Sequence, residues 1–265
     1  MIGERVGDYI IDSELGFEEL GALYLATHVV LPRRAAIKIM NAGRARSDSL
    51  QFLRESCVLE ALAHPGIPRV FECGVLTDRR PWTALEHIEG VSFAALLERG
   101  PVALGDLTVA IRDVADLLAH VHARGVVHRR LSAAAIACTP ERPFQHCIRD
   151  WSAARTLDAE HVFVDARDDM HALGVIAYRA LAGALPAPGC SAAERCPAAP
   201  VELTALVDAM LADDPAARPT ARAVRDRMRW LAATLLPVPL SAPLAFTPQL
   251  AMENEVSIRI FRKSH

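Results

Sequence analysis

The stretch from His128 to Ser152 constrains the chain most. It begins His128-Arg129-Arg130-Leu131-Ser132-Ala133-Ala134-Ala135-Ile136 and ends His146-Cys147-Ile148-Arg149-Asp150-Trp151-Ser152. Between them lies Thr139-Pro140-Glu141-Arg142-Pro143, whose prolines mark a turn, so the flanking residues read as a short hairpin. Just upstream is the longest amphipathic helix, residues 104–124. Leu107, Ala110, Ile111, Val114, Leu118 and Val121 keep a 3.6-residue period, and Gly125 ends it as a glycine past a helix C-terminus does.

The rest of the chain can be placed around this stretch. Residues 9–40 read as strands and turns, with Gly16-Phe17-Glu18-Glu19-Leu20-Gly21 between the first two strands and Lys38 in the apolar strand Ala35–Met40. A helix over 48–63 carries Phe52, Glu55, Leu59 and Leu62 at helical spacing, and His64-Pro65-Gly66-Ile67 follows as a turn. Trp82–Gly90 is a strand and connector, after which Ser92 caps a helix with Phe93, Leu96 and Leu97 inward. Downstream, Asp169 opens a helix running through Leu173, Ile176, Ala177 and Leu181 to Gly183. Residues 184–200 are a Pro- and Ala-rich loop, and 201–211 are helical. Asp213-Asp214-Pro215-Ala216-Ala217-Arg218-Pro219-Thr220 then leads into a last helix with Val224, Met228 and Leu231.

Taken in order, these motifs resemble the protein kinase superfamily, in its bacterial eukaryotic-like serine/threonine branch, over residues 8–236. The resemblance implies an α+β, two-lobed fold. A small N-lobe, residues 1–86, holds an antiparallel sheet and the αC helix. A mostly helical C-lobe, residues 87–236, has a shortened activation segment and a reduced αG helix, and a tail of 237–265 lies outside. It also implies site roles. Gly16 and Gly21 are the outer glycines of the phosphate-covering hairpin, with Glu18 in the middle position, and Lys38 reaches the α/β-phosphates with Glu55 as its partner. The backbone of Glu86 and Ile88 meets the adenine, Asp150 holds the metal, and Asp169 anchors the catalytic loop. Leu59, Phe71, His128 and Trp151 form the apolar column between the lobes.

The chain departs from the family where the chemistry is done. Arg130 stands for the catalytic aspartate, Ser132 for the phosphate-contacting lysine and Ala135 for the second metal-binding asparagine. Guanidinium stays protonated and cannot act as a base. Arg130 beside Asp150 suggests a pair standing where a metal would. A second reading is that Arg130 contacts the phosphate of metal-free ATP. The A-P-E motif is missing, so Arg218 lacks its family partner.

The leading expectation is therefore a catalytically inactive kinase-like domain, not an enzyme, that binds a signalling protein or an active kinase, with a homodimer also open. The alternatives are a nucleotide-binding switch and an enzyme with residual ATP-dependent transferase chemistry. ATP, with or without Mg²⁺, is the candidate cofactor. A net charge of −3 gives no broad basic surface for nucleic acid. The apolar run 231–246 is broken by Pro237, Pro239 and Pro243 and makes a poor membrane span. Six cysteines without a CxxC pair fit free thiols in a reducing cytoplasm, with Cys138 and Cys147 placed to face each other across the hairpin. Residues 255–262 alternate like a strand.

Overall fold

The computed structural model describes residues 1–235 apart from positions 19, 45 and 158. The tail and its expected strand at 255–262 lie outside the described residues. The strands are β1 (Arg5–Val6), β2 (Tyr9–Phe17), β3 (Gly21–His28), β4 (Arg34–Met40), β5 (Val70–Val75), β6 (Pro81–Glu86), β7 (Val91–Ser92), β8 (Val126–Val127), β9 (Ile136–Cys138), β10 (His146–Ile148) and β11 (Arg155–Thr156). The helices are α1 (Arg46–Leu62), α2 (Phe93–Glu98), α3 (Leu104–His122), α4 (Ala159–Ala182), α5 (Ala192–Arg195), α6 (Val201–Met210) and α7 (Ala221–Leu235).

The small lobe is a six-stranded antiparallel sheet in the order β1-β2-β3-β4-β6-β5. Period-two alternation sends Tyr9 and Ile11 inward and Ile10 out, so one face buries Ile37, Ile39, Trp82 and Ala84 as a core of its own. Gly21 is required by close approach: a Cβ there would lie 2.4 Å from the Ile39 carbonyl oxygen. Helix α1 lies on the other face, where the Ser56 and Thr83 hydroxyls bond at 2.8 Å.

Helix α3 is the axis of the large lobe. The six apolar positions expected inward are all buried, packed with α4, α6 and α7 in one core that also takes in Leu59 and Leu62 of α1. Ser92 Oγ accepts the Ala95 amide at 3.2 Å and Thr220 Oγ1 accepts that of Ala223 at 3.2 Å, the two expected caps.

Four expectations need correction. Helix α4 begins at Ala159 rather than near Asp169, because the intervening residues include no Gly or Pro to stop it. Residues 184–200 are not all loop. Ser191 and Glu194 make a reciprocal capping box that starts the single turn α5, consistent with a reduced αG. Cys138 and Cys147 are not opposite: the register sets Cys138 against His146 and Cys147 against Ala137, and all six cysteines are free thiols. Phe71 is not in the inter-lobe column. The register shifts between Val70 and Glu72, so Val70 packs on the main core while Phe71 joins the sheet core beneath the Arg33 guanidinium, 4.4 Å from its ring centroid.

Arg218 has found other partners. Its guanidinium donates to Asp168 Oδ1 at 3.1 Å and to the carbonyls of Ala212 and Arg167 at 2.9 and 3.2 Å. Among the described residues no helix is long and apolar enough to cross a membrane.

Candidate functional site

Strand β4 is central in its sheet, so Lys38 is paired on both sides, to Leu23 and to Thr83, and its side chain is only 4% exposed. A buried ammonium needs counter-charge. Glu55 provides it from α1, with Oε2 2.5 Å from Lys38 Nζ. Glu18 provides more from the β2–β3 turn, its Oε2 also ion-paired to Nζ. Burial pulls the Lys38 pKa down, but the Glu55 and Glu18 carboxylates outweigh it and hold the ammonium protonated, with a raised pKa. Two carboxylates sharing one cation leave negative charge in excess. Burial accordingly pushes the Glu55 carboxyl up, Lys38 only partly opposes it, and Glu18 and Asp150 add to the rise.

Below this cluster is a cleft of about 300 Å³. Leu23, Ala36 and Leu85 line its roof and wall, Glu86, His87 and Ile88 its connector edge, and Ala135, Arg149 and Asp150 its floor. Glu18 and Glu55 close the inner end. Larger clefts of about 770 and 720 Å³ lie elsewhere, between α3 and α7 and behind the connector, away from the Lys38 cluster. The charged, partly apolar small cleft is the better binding site on chemistry rather than size.

The expected site residues thus converge in part. Glu55, Asp150, Glu86, Ile88 and Ala135 line one cleft with Lys38 at its inner end; Gly16 and Gly21 flank the turn without lining it. Arg130 is exposed, and Ser132, also exposed, turns its Oγ to accept the Ala135 amide at 3.3 Å. The Arg130–Asp150 pair is not formed. Asp150 Oδ1 accepts the Ser152 amide at 3.0 Å and its hydroxyl at 2.7 Å, because the tight turn brings these donors in first. Burial would raise the Asp150 pKa, but the two Ser152 hydrogen bonds hold the carboxyl below its usual range.

The loop beneath is rigidly held. Asp169 on α4 accepts the His128 and Arg129 amides at 2.9 and 2.7 Å, and the His122 Nε2–H at 2.8 Å. Arg129 thereby adopts φ +66°, unusual for a residue with a Cβ. The buried His128 ring meets Trp151 edge-on at 4.9 Å, and burial lowers the His128 pKa so that the ring stays neutral. Trp151 Nε1–H donates to the Ile148 carbonyl at 2.8 Å. His122, two residues from His120 on α3 and so not expected to pair with it on a metal, has the structural role expected of it, though its partner was not foreseen; Arg142 escaped sequence reasoning. Arg142, from the β9–β10 turn, donates to Glu86 Oε1 at 2.8 Å and to the Pro65 carbonyl at 3.2 Å, bracing the connector against the turn after α1. Nothing local signals either contact.

Apolar walls and the Lys38 ammonium at its inner end give the cleft the chemistry for a ligand with an apolar ring and anionic groups. Asp150 fits one metal ion, while Ala135 has no ligand atom for a second. Among the described residues no group of three or more His, Cys, Asp or Glu side chains is arranged to hold a metal alone.

Comparison with known proteins agrees with this geometry. Residues 9–163 match the family described as the protein kinase domain. The serine/threonine-protein kinase Pkn1 of Myxococcus xanthus is 30% identical over 213 residues, covering 70% of this chain and 30% of that protein. The serine/threonine-protein kinase PknB of Mycolicibacterium smegmatis is 28% identical over 207 residues, covering 67% and 33%. This chain therefore spans about a third of the length of such relatives. The crystal structure of the Mycobacterium tuberculosis PknI kinase domain superposes with a TM-score of 0.68 at 23% identity, covering 87% of this chain and 98% of that one.

These relatives correct the expectation of a catalytically inactive binding module that is not an enzyme: they are serine/threonine-protein kinases by name. The replacements at 130, 132 and 135 do not decide the matter. Phosphoryl transfer passes through a loose transition state and is catalysed mainly by positioning and charge, with little covalent work for the protein.

Proposed function

We propose that this chain, which belongs to the protein kinase family, is an ATP-dependent phosphotransferase domain of the bacterial serine/threonine type. The observation that carries this reading is the buried Lys38–Glu55 pair at the inner end of a cleft whose floor holds Asp150. ATP with Mg²⁺ would supply the transferred phosphoryl group and the charge that neutralises its oxygens. Lys38, oriented by Glu55, binds the α/β-phosphates, and Asp150 holds the metal. The Glu86 amide is already spent on the Arg69 carbonyl at 2.7 Å, so from Glu86 only the carbonyl is left for the purine, beside the backbone of Ile88. Gly16 and Gly21 shape the turn above.

The acceptor is a protein hydroxyl, whose oxygen would bond the γ-phosphorus as the bond to the ADP oxygen breaks; its proton would pass to the transferred phosphate or to water, because Arg130 cannot take it. That deficit lowers the rate by about 10²–10⁴-fold. Residues 1–86 form the nucleotide-covering lobe and 87–236 the acceptor-facing lobe, in a cytoplasmic signalling protein whose partners are its substrates.

Transfer of labelled phosphate from ATP to the chain itself and to a protein acceptor, with Mg²⁺ or Mn²⁺, tests this. Slow transfer should disappear in Lys38→Ala and Asp150→Ala, and Arg130→Asp should accelerate it about ten-fold or more. Wild-type transfer no greater than that of Lys38→Ala with either metal would refute the proposal.

A further inference from the structure

The β2–β3 turn makes one contact that a phosphate-covering turn would not need. Its tip is set locally, the Glu18 amide donating to the Gly21 carbonyl at 2.8 Å. The neighbouring apolar side chains make only partial contact: Phe17 is 72% exposed, Leu15, at the cleft wall, is 43% exposed, and Leu20 is half-buried. What reaches inward is the Glu18 carboxylate, three-quarters buried and ion-paired to Lys38 Nζ.

Lys38 thus has two anionic partners of different kinds. Glu55 belongs to a helix packed on the sheet and fixed by the adjacent Ser56–Thr83 bond. Glu18 belongs to a turn in which Phe17 faces water and Leu15 and Leu20 are only partly buried. An entering polyphosphate needs the same ammonium, and in a partly desolvated site it repels a carboxylate already there. The ammonium has three N–H donors, so the conflict is electrostatic: one positive charge already shared by two carboxylates does not offset a third anion placed against Glu18.

We infer that Glu18 is a latch: it occupies the phosphate-binding position of Lys38, holds the glycine-bounded turn down on the cleft, and must release before a nucleotide's phosphates can bind. The inference rests on the reading of the cleft as a nucleotide site. It makes Glu18 the residue that sets affinity for the phosphates specifically. A ligand with the same purine and ribose but no phosphate does not compete with it.

Calorimetric titration of the full chain with ATP plus Mg²⁺ and with adenosine, for wild type, Glu18→Gln and Glu18→Gly, separates these effects. Both variants should bind ATP at least ten-fold more tightly than wild type, while adenosine affinity stays within about two-fold. Glutamine keeps the shape and removes the charge; glycine removes both, so the pair guards against a folding defect in one of them. Unchanged or weaker ATP binding in both variants, with adenosine still bound, overturns the latch and leaves the nucleotide site standing. An equal gain for adenosine also overturns it, since Glu18 would then act only by narrowing the cleft. Binding of neither ligand to any of the three proteins overturns the nucleotide-site reading itself.

Discussion

Asp169 and Arg129 are joined by a 2.7 Å hydrogen bond from the Arg129 amide to Asp169 Oδ1, across 40 residues of chain. The other carboxylate oxygen takes the His128 amide. One buried side chain on α4 therefore fixes the loop that faces the cleft and holds Arg129 at its positive φ. Replacing Asp169 with Ala strands two amides and the His122 N–H. The expected cost is about 3 kcal/mol in urea unfolding, with Asp169→Asn costing less because it keeps one acceptor oxygen. Hydrogen exchange at the amides of 128 and 129 should quicken in step. A loss below about 0.5 kcal/mol would mean that the loop is held by packing alone.

Arg142 and Glu86 brace the connector from below. Both are partly buried, so the pair is worth more than a fully exposed one. A double-mutant cycle with Arg142→Ala and Glu86→Gln should give a coupling of about 0.5–1.5 kcal/mol. Strictly additive losses would show the contact to be energetically idle.

His64 is held neutral: burial first, and then the His120 ring beside it, lower its pKa to about 4. Its Nδ1 accepts the Gly66 amide at 3.0 Å, a role that protonation abolishes. The unfolded chain binds this proton below the ordinary value of 6.5, whereas the folded chain resists until about 4. Stability from this group is therefore complete above pH 6.5 and is lost as pH falls to 4. His64→Phe should be less stable at pH 8 but should lose about 1–2 kcal/mol less than wild type between pH 7 and 4, the full shift being discounted because the ring is only half-buried, measured by denaturant midpoints. Parallel pH profiles would contradict this.

Gly66 lies in the turn closed by the Ile67 amide on the His64 carbonyl, and packing rather than a positive φ keeps it small. A Cβ there would lie 2.5 Å from Phe144 Cε1 and 2.7 Å from Leu117 Cδ1. Gly66→Ala should cost about 1–3 kcal/mol, and Phe144→Leu in the same chain should recover part of it. Thermal melting of the single and double variants provides the comparison.

Much of the architecture could be read from residues. The helices expected at 48–63 and 104–124 and the last helix are found at 46–62, 104–122 and 221–235 with the caps at Ser92 and Thr220, and the Lys38–Glu55 pairing and the Asp169 anchor are those the family resemblance implied. The reading failed where pairing between distant strands or turns decides the outcome. Phe71 left the column because of a bulge that exists only once β5 meets β6. Asp150 ignored Arg130 because Ser152 was nearer. The replacements at Arg130, Ser132 and Ala135, taken with Glu18 and the short activation segment, suggested an inactive module; relatives that are serine/threonine-protein kinases by name correct that expectation.

Sequence alone settles what repeats within a segment, because the 3.6- and 2-residue periods are properties of a single helix or strand. It is sufficient to place Lys38 in a strand, Glu55 on a helix and Glu18 in a turn. Which of these charges meet is a different matter. Lys38 and Glu55 are 17 residues apart and His122 and Asp169 are 47 apart. Such distances are closed only when elements pack, and burial then decides that one ammonium must serve two carboxylates. That shared ammonium is tertiary in origin because desolvation, which makes each unpaired charge costly, exists only in the folded interior.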